Sequence, residues 1–112
     1  MKPYNLEERT FAFTKDCRVL ISKLPKTISN IEDGKQLVRS SGSVGANYIE
    51  ANENLGDKDF KFRMRIARKE AKESLYWLNL LKSLNPNIIT IDPLIQEANE
   101  LRKILSTILN KT

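Results

Sequence analysis

The stretch DKDFKFRMRIARKEAKESLYWLNLLKSL, Asp57–Leu84, decides the fold. Phe60, Met64, Ala67, Ala71, Leu75 and Leu78 recur at steps of three and four. That spacing places them on one stripe of a long amphipathic helix. Gly56-Asp57 opens the segment and Asn85-Pro86-Asn87 ends it, since proline and asparagine break helical continuity. A helix this long with one apolar stripe must bury that stripe against other helices.

Three more segments supply the partners. Upstream, Leu6, Phe13, Cys17, Leu20, Ile21 and Leu24 form a narrow stripe that Pro25 stops, with Asn5 and Glu8 spaced as a capping pair. From about Asn30 to Asn52, Leu37, Val38, Ser41, Val44, Tyr48 and Ile49 form an inward arc, with Glu32 and Asp33 placed near the positive end of the dipole. Its centre, Ser40-Ser41-Gly42-Ser43-Val44-Gly45-Ala46, is rich in small residues. Two glycines inside a helix cost about 1 kcal/mol each relative to alanine, a cost met where another helix must approach the backbone closely. A loop is the competing reading of that run. Downstream, Ile88–Ile91 reads as a connection that covers one end. Asp92-Pro93 reads as an N-cap followed by proline at the first helical position, and Leu94, Ala98, Leu101, Leu105, Ile108 and Leu109 share one face after it. Four amphipathic helices with short connections predict an all-α, antiparallel up-down four-helix bundle, a single domain over residues 1–112.

Composition narrows the function. The chain has 112 residues, 40% hydrophobic and 29% charged, and a formal net charge of +5, ordinary values for a globular domain that attracts polyanions. It contains no histidine and one cysteine, Cys17. Histidine-based acid–base chemistry, Ser-His-Asp and Cys-His sites and the usual zinc sites are therefore excluded. An intramolecular disulfide is excluded too, which suits a reducing compartment. Met1–Arg9 lacks the apolar stretch of a signal peptide and no apolar run reaches spanning length, so the expectation is a cytoplasmic protein with no membrane role. Asn47, Glu50, Glu70 and Glu73 are the polar residues nearest to a paired-carboxylate site. A di-metal bundle would need Glu-x-x-His pairs, so no metal and no cofactor is expected. Gly42-Ser43-Val44-Gly45 has the form of a GXXG loop, but no sheet is legible to support one. The expectation is a protein that is not an enzyme.

Charge patterning on the long helix offers a binding surface instead. Lys58, Lys61, Arg65, Arg68 and Lys72 fall within about an 80° arc at 100° per residue, with Lys69 beside them. The arc is expected to lie roughly opposite the main apolar stripe. A cationic ridge of this kind suits a phosphate backbone. It also suits a solvated face, because Asp57, Asp59, Glu70 and Glu73 stand close enough to offset it. A second surplus is apolar: Phe62, Ile66, Trp77, Leu80 and Leu84 gather on an adjoining arc, which either widens the core contact or makes a subunit interface.

The run Ser41-Gly42-Ser43-Val44-Gly45-Ala46-Asn47-Tyr48-Ile49-Glu50-Ala51, then Lys58-Asp59-Phe60, then Ile66–Leu78 resembles one bacterial family. It is the four-helix-bundle family of intervening-sequence proteins encoded within large-subunit ribosomal RNA genes, to which the accessory variability protein of diversity-generating retroelements is related. The resemblance implies a homopentamer. It also implies, from the retroelement relative, a basic surface that engages nucleic acid and a reverse transcriptase. The matching positions are Ser43, Asn47, Glu50, Glu73 and Trp77, of which Asn47 and Glu50 are expected to hold the second and third helices together. Two functions follow: a non-enzymatic homo-oligomer that binds structured RNA or duplex DNA, or an adaptor that assembles proteins through the Phe62/Ile66/Trp77/Leu80 surface.

Overall fold

The computed structural model describes residues 5–112; Met1–Tyr4, part of the start read above for a leader, lie outside them. Four helices account for nearly all of this span: α1 (Leu6–Lys23), α2 (Ile28–Asn52), α3 (Asp57–Leu84) and α4 (Ile91–Asn110). Each packs against its neighbours in the chain, and α1 also meets α4. The bundle is therefore an antiparallel up-down ring of four helices around one core. Its 44 Å length is close to the ~42 Å that α3 alone spans at 1.5 Å per residue.

The core is the expected one. Phe13, Cys17 and Leu20 of α1, Leu37 and Val44 of α2, Met64, Ala67, Ala71 and Leu78 of α3, and Leu94, Ala98, Leu101 and Leu105 of α4 are all buried. Burial and the apolar surroundings push the Cys17 thiol up to about 12, so it stays protonated and inert. Ile49 departs from the expected arc. It lies on the α1 flank of α2 and is largely exposed.

The small-residue centre of α2 is helical throughout, not a loop, and α1 packs tightly against it at Gly45. A Cβ at Gly45 would lie 2.8 Å from Thr10 Oγ1 and 3.0 Å from Thr10 Cβ. Thr10 cannot swing away freely, because its hydroxyl donates to the Leu6 carbonyl at 2.7 Å. Four residues on, the Thr14 hydroxyl donates across to the Ser41 carbonyl at 2.8 Å. Absence of a side chain at Gly45 thus sets the α1–α2 distance.

Helix ends show where local signals lost to packing. Asn5 adopts φ 45° and makes no capping bond to the backbone; its amide donates to the Glu8 carboxylate at 2.8 Å instead. Helix α2 begins at Ile28, capped by Thr27, whose hydroxyl accepts from the Asn30 backbone at 3.1 Å. Glu32 and Asp33 therefore fall beyond the first turn, where the dipole has faded. Helix α4 begins at Ile91 after Thr90, so Asp92-Pro93 lies inside its first turn rather than at its cap. Ile91 is fully buried, and that burial draws the helix back past the aspartate. Proline costs nothing there, since the first N–H groups lack helical partners anyway. Asp92 is left to pair with Lys82 of α3.

Candidate nucleic-acid interface

Helix α3 positions the cationic ridge, but not opposite the core. By helical phase the ridge is centred about 100° from the main stripe, on the flank turned toward α4. Lys61 and Arg68 are accordingly half-buried, while Lys58, Arg65, Lys69 and Lys72 are exposed. Lys61, Arg65 and Arg68 line a cleft with Leu109, Asn110 and Thr112 at the end of α4. Arg102 was missed in the sequence reading. Its phase puts it on the α3 flank of α4, half-buried, where it donates to Asn99 at 2.9 Å. Finding it required the α3–α4 register, which one helix's periodicity does not contain.

The acidic residues that could have cancelled the ridge are largely committed elsewhere. Asp59 pairs with Arg63 at 3.8 Å and accepts from the Leu55 backbone at 3.1 Å. Glu70 and Glu73 both take the Arg39 guanidinium of α2, Glu70 at 3.1 Å. Asp57 pairs with the ridge's Lys61 at 3.3 Å, and Lys69 acts on Glu73 through charge at longer range. Among the described residues, Lys58, Arg65, Arg68, Lys69 and Lys72 have no carboxylate within 4.0 Å. The ridge keeps a net positive field.

Arg39, Glu70, Glu73 and Trp77 form a polar cluster between α2 and α3. The Trp77 indole N–H donates to Glu73 at 3.0 Å. That bond, and then Arg39, hold the Glu73 carboxyl below the usual carboxylate range, against a partial loss of solvation. Hydrogen bonds to Glu73 and Glu70 raise Arg39 further above its ordinary value. Ser74 Oγ lies 2.9 Å from Ser40 Oγ across the same interface. Asn30 and Asn85 exchange amide hydrogen bonds at 3.0 and 2.8 Å at its end. These residues join α2 to α3. Among the described residues, Asn47 and Glu50 make no bond across to α3: Asn47 bonds back within α2 to Ser43, at 2.9 Å to both its carbonyl and hydroxyl, and Glu50 is exposed, with no ion pair among those residues. By phase both nonetheless lie on the α3 flank of α2, between Ser40 and Arg39.

The apolar surplus on α3 is split. Phe62 is 55% exposed, whereas Ile66, Trp77 and Leu80 are half-buried. Trp77 packs partly against the core and stands edge-on to Tyr76 with ring centroids 5.0 Å apart. The Arg63 guanidinium sits 5.7 Å from the Phe62 ring. Among the described residues no cluster of three His, Cys, Asp or Glu side chains could hold a metal ion. No helix there is long and apolar enough to cross a membrane.

A basic four-helix bundle with a small-residue α1–α2 crossing and an Arg–Glu–Glu–Trp cluster between α2 and α3 is the class these features define. The model of the 23S rRNA-intervening sequence protein family matches residues 4–107, and the chain belongs to that family. It is also similar to a solved structure from Bacteroides thetaiotaomicron VPI-5482, a protein of unknown function from the S23 ribosomal protein family. The two are 27% identical, the match covers 92% of this chain and 96% of that one, and the TM-score is 0.80. No curated protein matches the chain.

Proposed function

We propose that this protein is a non-enzymatic homo-oligomer that associates with nucleic acid, RNA in preference to DNA, through the α3 ridge. The observation that carries the reading is the commitment of Asp59, Glu70 and Glu73 to other partners. It leaves Lys58, Arg65, Arg68, Lys69 and Lys72 to meet phosphates. Arg102 extends the surface onto α4. Contacts of this kind position a polyanion without reading its bases, so little sequence specificity is expected. The family context, proteins named for intervening sequences of 23S rRNA, favours RNA.

A homopentamer in the cytoplasm is the assembly proposed, with a reverse transcriptase as one protein partner to test. Five copies of a +5 chain would multiply the attraction between ring and polyanion. The direct test is binding of a fluorescent structured RNA at low salt by wild type and by Arg65→Glu with Arg68→Glu. Loss of binding by a variant that keeps its helicity and mass supports the reading. Equal binding by both proteins would make the ridge a solvated face, and the protein-assembly adaptor would take its place.

A further inference from the structure

We infer that the groove between α1 and α2 receives the Phe62 face of α3 from a second copy of this chain, so that copies join head to tail. The inference rests on the oligomeric part of the reading above and supplies its geometry. The groove holds about 680 Å³ and lies between Phe11 and Ile49, with the small residues Gly42 and Ala46 of α2 along its floor. Phe11 is 72% exposed and Ile49 is 46% exposed. Large apolar side chains beside an open, small-residue floor leave apolar surface in water unless something fills the space. The Phe62 face lies on a different helix, beyond α2, and offers Phe62, Ile66 and Leu80. A two-fold dimer needs one self-complementary patch, whereas head-to-tail association needs two different ones. This bundle has two.

Charge order identifies the second copy as the occupant. Glu7 and Glu8 rim the groove about one turn before Phe11, and Arg18 follows about two turns after it. Neither Lys15 nor Arg18 has a carboxylate within 4.0 Å among the described residues. On α3 the order is reversed. Lys58 lies about one turn before Phe62, and the partly exposed Glu73 carboxylate lies about three turns after it, beside the Arg39 guanidinium. Acid–aromatic–base along α1 therefore meets base–aromatic–acid along α3. At 1.5 Å per residue the aromatic-to-charge spacings are about 10 Å on α1 and about 16 Å on α3, a difference that the length of the Arg18 side chain spans.

Two variants test this together. Ala46→Arg fills the groove at an exposed helical position, and Phe62→Glu removes the opposing aromatic. Light scattering of the wild type should give several times the 12.9 kDa chain mass, and each variant alone should fall to one chain with its helicity retained. Mixed in equal amounts, the variants should give a heterodimer and nothing larger. The Ala46→Arg chain still carries Phe62 and the Phe62→Glu chain still has an open groove, so only one productive contact remains. Phe11→Ser repeats the groove test should Ala46→Arg lose helicity. A mixture that stays at the mass of one chain overturns the pairing. A wild-type oligomer untouched by both Ala46→Arg and Phe11→Ser overturns the groove alone. A monomeric wild type overturns the oligomeric reading with it. RNA binding by the monomeric variants is measured separately, so failure of the nucleic-acid reading would be seen apart from any of these.

Discussion

One substitution made at two glycines three residues apart should have opposite effects. Gly→Ala inside a helix gains about 1 kcal/mol when the new methyl meets no obstacle. At Gly42 the added Cβ would lie 3.4 Å from the tip of the Arg18 guanidinium, an exposed and movable group. Gly42→Ala should therefore stabilise the fold by up to ~1 kcal/mol. At Gly45 the same Cβ would meet Thr10 Oγ1 at 2.8 Å and Thr10 Cβ at 3.0 Å. Relief requires either breaking the Thr10–Leu6 hydrogen bond, at ~1 kcal/mol, or parting the two helices. Overpacking of this kind costs about 1–3 kcal/mol, which outweighs the propensity gain. Urea unfolding at fixed temperature reads both changes, in the Phe62→Glu background so that assembly contributes nothing. Stabilisation by Gly45→Ala would refute the argument that Thr10 and Gly45 set the α1–α2 distance.

Removing the Trp77 donor with Trp77→Phe should raise the Glu73 pKa toward the usual carboxylate value. A carboxylate whose folded pKa is depressed contributes stability that is full above its unfolded pKa, about 4.3, and is lost as pH falls through the folded value. The variant should lose its excess instability relative to wild type as the pH drops below about 4, and a difference that does not change with pH would contradict it. Arg9→Met should destabilise, because Arg9 grips Glu97 at 2.6 and 3.0 Å and Glu100 at 3.1 Å across the narrow α1–α4 contact; thermal unfolding should show a drop of a few degrees, and no drop would mean the pair is only a solvated one. Chelators should leave the melting temperature unchanged, and a clear fall would point to a carboxylate site around Glu50, Glu70 and Glu73. Circular dichroism should show dominant helix, and measurable strand content would contradict the bundle.

The sequence carried most of the fold because helical burial is periodic. Both ends of α3 were legible to the residue, since Gly56 and Asn85 bracket an unbroken stripe. Helix α4 was misjudged by two residues: the Asp92-Pro93 signal is local, whereas burial of Ile91 is tertiary and stronger. The ridge residues were legible as a set. Their direction was not, because phase around one helix becomes a place in the molecule only once its neighbours are known. The same reason hid Arg102, the 88-residue reach of Arg9 to Glu97, and the groove. Phe11 stands off the α1 stripe and Ile49 was assigned inward, so two helices had to be placed side by side before the space between them existed. Ser43, Asn47 and Glu50 matched the family pattern, yet only the structure shows that Asn47 turns back to Ser43 within α2 rather than bonding across to α3.

The central claim is that the α3 ridge meets phosphates, and the salt dependence of RNA binding tests it most directly. Each phosphate contact on a duplex contributes about −0.9 to the log–log slope of affinity against salt. Wild type should show a steep negative slope, and Arg65→Gln with Arg68→Gln should flatten it by about 1.8 for each bound chain while mass and helicity stay unchanged. An unaltered slope would contradict the account.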